Sequence, residues 1–477
     1  MNIHIPNEVK FIIDTLEENG FEAYVVGGCV RDAVLGNVPD DWDICTSALP
    51  EQTASCFEGY HIFETGLQHG TITLRLNHKS FEITTYRVDG TYSDNRRPDN
   101  VEFTRDLKND LSRRDFTINA MAYNPRVGIV DYFDGTSDLQ ERIIRCVGDA
   151  DTRFQEDALR IMRALRFASA LSPAFLSTPG HKRTDPLCRP EHKRTDPLCP
   201  SELPGFSIEK STSDAIIRNK ELLNNIAVER IAVELNKLIV GTNVGEILLS
   251  YTPVFEVIIP ELSDMVGFNQ NSSYHHLDVW GHTVESVINA PKDVALRLTM
   301  LFHDIAKPQC YTEVDSVGHF YGHPQVSSDM AREILNRLKY DNDTIKTVTT
   351  LILYHNTDFH PSPKHIKRWL NKIGEEKLRQ LIDIIKADSL AKSEYRREAQ
   401  LLQLEEVLLV LDEIIEEQQC FSLKDLAVDG RDLIAIGITE GTEIGTTLKK
   451  LLELVINEDI ENEKDALLRR AFSHFST

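Results

Sequence analysis

Tyr24-Val25-Val26-Gly27-Gly28-Cys29-Val30-Arg31-Asp32, followed nine residues later by Asp41-Trp42-Asp43, is the stretch around which the rest of the chain is organised. Apolar Ala23 to Val26 predicts a short strand, the two glycines a backbone turn that can approach a ligand, and Arg31 and Asp32 the opening of a helix. Such a turn is a seat for phosphate. Side chains alternate along a strand, so the carboxylates flanking Trp42 are expected on one face, where they can hold divalent metal. A glycine turn beside a DxD pair is the chemistry of nucleotidyl transfer, in which one Mg²⁺ activates a hydroxyl and another steadies the leaving pyrophosphate.

The 477 residues carry a net charge of −23 and eight cysteines with no CxxC pair. Length predicts three or four domains, and no apolar run reaches the roughly 18 residues of a membrane span. Met1 to Lys10 lacks the pattern of a secretory signal, and scattered cysteines suit a reducing cytoplasm, where we expect the protein. Because phosphate neutralisation dominates nucleic-acid binding, any RNA contact must use local basic patches.

Residues from about 20 to 135 predict an α/β unit, with Thr71–Leu76 and Phe81–Arg87 as a hairpin. Glu82 is either a third carboxylate beside the aspartates or a cross-strand partner. Asp89 to Glu102 is polar and without period, which predicts a loop. In Arg113-Arg114-Asp115-Phe116-Thr117-Ile118-Asn119-Ala120-Met121-Ala122, an arginine fork can clamp phosphate and an aspartate can accept from a ribose hydroxyl. Asp131 to Gly135 closes the unit with a turn.

From Asp149 the period becomes helical. Glu156 to Phe167 places Asp157, Arg160, Arg163 and Arg166 along one predicted helix, with Leu159, Met162 and Leu165 turned to the core. Cytosine and adenine both present an amino donor beside a ring-nitrogen acceptor. Asp157 can accept from the first and Arg160 donate to the second. Uracil and guanine reverse the pattern, and each mismatched pair costs about 1–3 kcal/mol.

Residues 172–204 hold seven of the nineteen prolines and an eleven-residue tandem repeat, His181–Cys188 recurring as His192–Cys199. Such a segment builds neither helix nor core and reads as a loop insert. It is either neutral or an RNA contact through its Lys and Arg, and a metal or disulfide shared by Cys188 and Cys199 is poorly motivated. Further on, His282, His303-Asp304, His323, His355 and Asp388 offer imidazole and carboxylate ligands to a transition metal, with His303-Asp304 predicted inside an apolar helix.

GGxVRD with DxD, RRDFTxNAM and EDxxRxxRxxRF stand here in order and spacing. On these motifs the chain resembles the class II tRNA nucleotidyltransferases and bacterial poly(A) polymerases, most closely the CCA-adding enzymes that carry an HD domain. The resemblance implies an α/β nucleotidyltransferase head with a mixed sheet (1–140). A helical neck (141–265, with the 172–204 insert), an HD domain (266–395) and a helical tail (396–477) would follow. It also implies that Asp41 and Asp43 bind catalytic Mg²⁺. Gly28, Arg31, Arg114, Asp157, Arg160, Arg163 and Arg166 would contact CTP or ATP, with Asp115 near the ribose. His282, His303, Asp304 and Asp388 match the HD metal pattern, and His323 and His355 the additional histidines of two-metal sites. In HD-bearing relatives that domain is associated with phosphatase and cyclic phosphodiesterase activity. The tRNA acceptor end is the expected partner, and no obligatory protein partner is evident. CC-only, A-only and poly(A) addition share these motifs, and a phosphohydrolase whose head only grips RNA, or a catalytically silent RNA binder, would be a different class of protein. Cys29 stands where a smaller residue is usual, and the insert falls in the neck, where it bears on tRNA docking.

Overall fold

The structure is a computed structural model that describes residues 3–67, 70–90, 100–171, 205–271, 277–315, 317–394, 397–438 and 441–475. The middle of the expected 89–102 loop (91–99) and the whole repeat insert (172–204), with Cys188 and Cys199, lie outside the described residues. Two compact units divide the chain, Met1–Pro260 and Glu261–Thr477.

The first unit opens with helix α1 (Asn7–Glu18), whose Val9, Ile12, Ile13 and Leu16 are buried at helical spacing. Strand β1 (Ala23–Val26) and helix α2 (Gly28–Val34) meet at Gly27, so the helix opens at Gly28 and Arg31 falls within it rather than at its start. Next come β2 (Ile44–Thr46), α3 (Pro50–Cys56), β3 (His61–Gly66), β4 (Thr71–Leu76) and β5 (Lys79–Thr85). β6 (Arg87–Asp89) and β7 (Val101–Phe103) pair antiparallel, so the predicted loop has strand stems. α4 (Leu107–Ser112), β8 (Met121–Asn124), β9 (Gly128–Asp131) and α5 (Gly135–Glu141) follow.

The main sheet has the order β3-β4-β5-β2-β1-β8-β9, with β2 and β5 parallel and the other neighbours antiparallel. This is the mixed sheet expected of the head. Its hairpin turns through Asn77 and His78, both at positive φ (48° and 65°), the backbone of a two-residue type I′ loop that matches strand twist. Register puts Val25, Ile44, Ile72 and Ile83 on one face. Val26, Cys45 and Ala122, on the other, pack with Tyr86, Leu107, Leu111 and Val147.

β10 (Ile143–Ile144), α6 (Ala150–Glu156) and α7 (Leu159–Ala170) lead to the insert. The predicted single helix from Glu156 is broken: Asp157 caps α6 in an extended conformation (φ −139°, ψ 101°), and α7 starts two residues later. On the far side stand β11 (Ser207–Ile208), α8 (Lys210–Asn219), α9 (Val228–Ile239), α10 (Val244–Ser250) and α11 (Thr252–Ile258). Both flanks of the insert meet at Asn243. Its N–H donates to Ser169 O (3.0 Å), and a Cβ on Gly205 would lie 2.9 Å from its side chain.

Among its described residues the second unit is helical apart from one hairpin. It comprises α12 (Val279–Asn289), α13 (Val294–Phe302), β12 (Tyr311–Val314), β13 (Val317–Phe320), α14 (His323–Arg337), α15 (Asn342–Tyr354), α16 (Pro363–Ile373) and α17 (Glu375–Ala391). α18 (Arg397–Glu416), α19 (Gly430–Ala435), α20 (Gly441–Ile456) and α21 (Lys464–Phe475) complete it. Leu433, Leu451, Val455 and Leu467 build a core among the last helices. His303-Asp304 lies not inside α13 but where it ends, His303 being its C-cap. Among the described residues no helix is long and apolar enough to cross a membrane.

Candidate active site and metal centre

At the end of β1, Val26 N donates to Asp43 O (3.0 Å) and Gly27 N to Met121 O (3.1 Å), so the turn lies between the lead-in to β2 and the start of β8. Asp41 and Asp43 occupy that lead-in rather than the strand itself. Gly27 has φ +81°, and a Cβ there would lie 2.8 Å from Arg114 Nη1. Only glycine leaves this guanidinium its place. Burial raises the Asp43 carboxyl, the charge of Arg114 holds it down, and the charge of Asp41 pushes it up. The two carboxylates and the arginine therefore share one field beside the glycine turn. The carboxylates flanking Trp42 are hard oxygen donors of the kind that suits a divalent cation. By register Glu82 is the neighbour of Asp43 on β5, one position before the Ile44–Ile83 pair, and Thr73 is its cross-strand partner on β4; its side chain is exposed.

A cluster of arginines surrounds Phe167. The guanidinium carbons of Arg31, Arg163 and Arg166 lie 4.9, 5.4 and 4.1 Å from the centre of its ring, and the Phe116 ring meets it edge-on at 5.8 Å. Each cation has a carboxylate partner. Arg31 is bidentate on Asp32 and also donates to Asn119 Oδ1 (2.7 Å). Arg163 donates twice to Asp115 Oδ2 (2.8 and 2.6 Å), and Arg166 pairs with Glu234 of α9 (2.9 Å). Asp115 Oδ1 accepts from Phe116 N (2.8 Å) and Asn119 Nδ2 (3.0 Å). Burial alone would raise the Asp115 carboxyl, but Arg163 and Asn119 outweigh it and hold it at about 2. Thus in this arrangement Asp115 orients Arg163 with a carboxylate whose two oxygens are both engaged.

Asp157 and Arg160 sit where α6 gives way to α7. Asp157 Oδ1 accepts from Leu159 N (3.1 Å), and its Oδ2 accepts from Arg230 Nη2 (3.2 Å). Arg160 is buried, and its Nη1 donates to Glu156 Oε2 (2.7 Å) and Arg153 O (3.2 Å) while Nη2 donates to Arg113 O (3.1 Å). Glu156, Arg230, Glu234, Asn119 and Phe167 are site residues to which the sequence reading gave no role. Of these only Glu156–Arg160, four apart, had a readable signal, since i,i+4 neighbours face each other on a helix.

In the second unit, His282 (α12), His303 and Asp304 (end of α13), His323 (start of α14), His355 (end of α15) and Asp388 (α17) come together, all buried. His282 Nε2 lies 3.0 Å from Asp388 Oδ1, His303 Nε2 3.1 Å from Asp304 Oδ2, and His323 Nε2 3.3 Å from Asp304 Oδ1 and from His355 Nε2. Nδ1 of His303, His323 and His355 contacts the carbonyls of Met300, Phe320 and Ile352 at 2.7, 2.8 and 2.7 Å, and His282 Nδ1 contacts Ala391 O at 3.4 Å. A carbonyl only accepts, so each Nδ1 carries a proton and Nε2 is the inward atom, the one that serves as a metal ligand once it holds no proton. Buried His303 Nε2 and both Asp304 oxygens lack a hydrogen bond of good geometry. Two trios, His282/His303/Asp388 and Asp304/His323/His355, each bring three ligand atoms within 4.8 Å of one another. Burial would lower His303, but Asp304 and Asp388 overcome it and raise it to about 9, whereas burial and the charge of His303 push His355 down to about 3. The donor set of four imidazoles and two carboxylates fits a transition metal.

Family models match three stretches. Residues 23–145 match the Poly A polymerase head domain, 205–265 the probable RNA and SrmB-binding site of polymerase A, and 320–471 the putative tRNA nucleotidyltransferase domain 2. The last begins at Phe320, beyond His282, His303 and Asp304. The CCA-adding enzyme of Leuconostoc mesenteroides is 32% identical over 96% of this chain and 93% of its own. The chain belongs to the CCA-adding enzymes. That of Lactobacillus delbrueckii subsp. bulgaricus is 33% identical over 96% of this chain and 95% of its own. Among solved CCA-adding enzymes, the crystal structure from Bacillus stearothermophilus in complex with CTP aligns with a TM-score of 0.65 at 26% identity, over 99% of this chain and 98% of its own. The Thermotoga maritima CCA-adding enzyme complexed with tRNA shares the fold with a TM-score of 0.59 at 20% identity, over 98% and 95%.

Proposed function

We propose that the protein builds the 3′ CCA of tRNA without a nucleic-acid template, from CTP and then ATP. The observation that carries the reading is Arg114 lodged in the Gly27 turn, which the Val26 N to Asp43 O bond sets beside the DxD stretch. The membership of the chain in the CCA-adding enzymes supports it.

In the reaction the terminal ribose hydroxyl attacks the α-phosphorus, a new P–O bond forms, the bond to the bridging oxygen breaks and pyrophosphate leaves. Asp41 and Asp43 would hold Mg²⁺, which supplies activation of the hydroxyl and charge neutralisation on the leaving group. Arg114 and the backbone at Gly27 and Gly28 receive the phosphates, and Arg31, Arg163 and Arg166, each oriented by its carboxylate partner, contact the nucleotide. Asp157 and Arg160 read the base edge, while Glu156 and Arg230 set where those side chains point. The head (1–140), neck (141–265), metal-binding domain (266–395) and tail (396–477) are the working divisions. Scattered cysteines, the six described ones free, suit a cytoplasmic enzyme.

A tRNA lacking its last three nucleotides tests this. CTP alone should add two residues, ATP alone none, and the two together three, while Asp43→Asn should cut the rate on the order of 1,000-fold, about 4 kcal/mol. A long adenylate tail, or full activity in the variant, would contradict the reading.

The inward Nε2 atoms around Asp304 favour a second activity in the other unit, hydrolysis of a phosphoester at an HD-type centre. A transition metal held by His282, His303, Asp304, His323, His355 and Asp388 would supply Lewis-acid polarisation of a phosphoryl oxygen.

A further inference from the structure

The β12–β13 hairpin and the residue after it carry two rings that the metal ligands do not use. His319 and Tyr321 stack with centroids 5.3 Å apart and planes 6° from parallel. Tyr321 is 72% exposed. Both nevertheless line the same cavity of about 330 Å³ as Asp304 and Asp388, within the about 300–1,000 Å³ common for small-ligand sites. Two ammonium groups line it too, Lys307 Nζ at 2.7 Å from Asp304 Oδ2 and Lys392 Nζ at 2.5 Å from Asp388 Oδ2. Lys307 is buried and also donates to Gln270 Oε1 (2.8 Å), so its charge is held in place.

A cation filling the ligand cluster would compete with those ammoniums for Asp304 and Asp388 and leave them facing an anion. The cavity then joins cations that seek phosphate to an exposed pair of flat rings. A lone phosphate has no use for the rings, and a sugar phosphate offers them no π-face. A nucleotide uses both, because every base offers a π-face to an aromatic side chain. We propose that the His319–Tyr321 stack is a base platform, so that this cavity takes a nucleotide, free or at an RNA end, in preference to other phosphoesters. Turnover there rests on the phosphohydrolase reading; base stacking does not.

The full-length chain, loaded with Mn²⁺, is titrated by equilibrium dialysis with AMP and with ribose 5-phosphate, which lacks the base. Comparison with Tyr321→Ala isolates this cavity from the nucleotide site of the first unit. Loss of AMP affinity of about ten-fold in Tyr321→Ala, with ribose 5-phosphate unchanged and Tyr321→Phe like the wild type, is expected. Unchanged AMP affinity, or equal losses for both ligands, would overturn the platform. Phosphomonoester hydrolysis by the same preparations is read separately. If it is absent, or survives Asp304→Ala, the phosphohydrolase reading falls while the dialysis still decides the platform.

Discussion

Arg114 Nη1 lies 2.8 Å from the point where a side chain on Gly27 would begin, so glycine at one position and the placement of arginine at the other are one requirement. Gly27→Ala should push the guanidinium off the turn and strain a backbone at φ +81°, at about 1–3 kcal/mol of stability. The expected kinetic signature is a KM for CTP and ATP raised roughly ten-fold together, about 1.4 kcal/mol. Nucleotide titrations of the variant check it, and an unchanged KM would remove Arg114 from the phosphate site.

Phe167 holds three guanidinium groups against one ring, and replacing it with leucine keeps the apolar volume but removes the π-face. Each cation–π contact is worth about 0.5–2 kcal/mol. Phe167→Leu should therefore lower kcat/KM for CTP and ATP by roughly ten-fold each while leaving the preference for C and A over U and G intact. Incorporation of each of the four nucleotides, measured singly, separates this from a defect in base reading.

The Asp115–Arg163 pair predicts a pH dependence with a defined sign. With the folded carboxyl at about 2 and the ordinary value near 3.8, its contribution is fully present above about pH 4 and is lost as pH falls toward 2. The shift corresponds to about 2 kcal/mol. Urea unfolding of the first unit in wild type and Asp115→Asn should show a gap at pH 6 that narrows steadily below about pH 4 and is mostly gone at pH 2.

Metal binding at the His–Asp cluster should release protons at neutral pH, because His303 is raised to about 9 and must lose its proton to become a ligand. Calorimetry in buffers of different ionisation enthalpy reads that release. Asp304→Ala, which removes the carboxylate of the His323/His355 trio that also lies 3.1 Å from His303 of the other, should abolish tight binding.

What the sequence disclosed follows the range of the forces involved. The β1–Gly27–α2 unit, the β4–β5 hairpin, though with a link expected at 77–80 where the structure turns in two residues, and the identity of all six residues of the His–Asp cluster were legible, since each depends on local period or on residue type. The break at Asp157 was not. It is fixed by Arg230, seventy-three positions away, and by the extended backbone that lets one carboxylate reach both Arg230 and Leu159 N. Asp115 reads locally as a ribose acceptor, yet the fold brings Arg163 of α7 onto it. Phe167 looks from sequence like an ordinary core residue, and only packing shows that Arg31, 136 positions earlier, lies over its ring.

The most direct measurement is mass analysis of the 3′ end of a tRNA lacking CCA after incubation with all four nucleotides and Mg²⁺. The account predicts C, C and A in that order and then a stop, with Asp157→Ala admitting U or G. An unextended end in wild type, or a variant at 157 with unaltered choice of base, would contradict it.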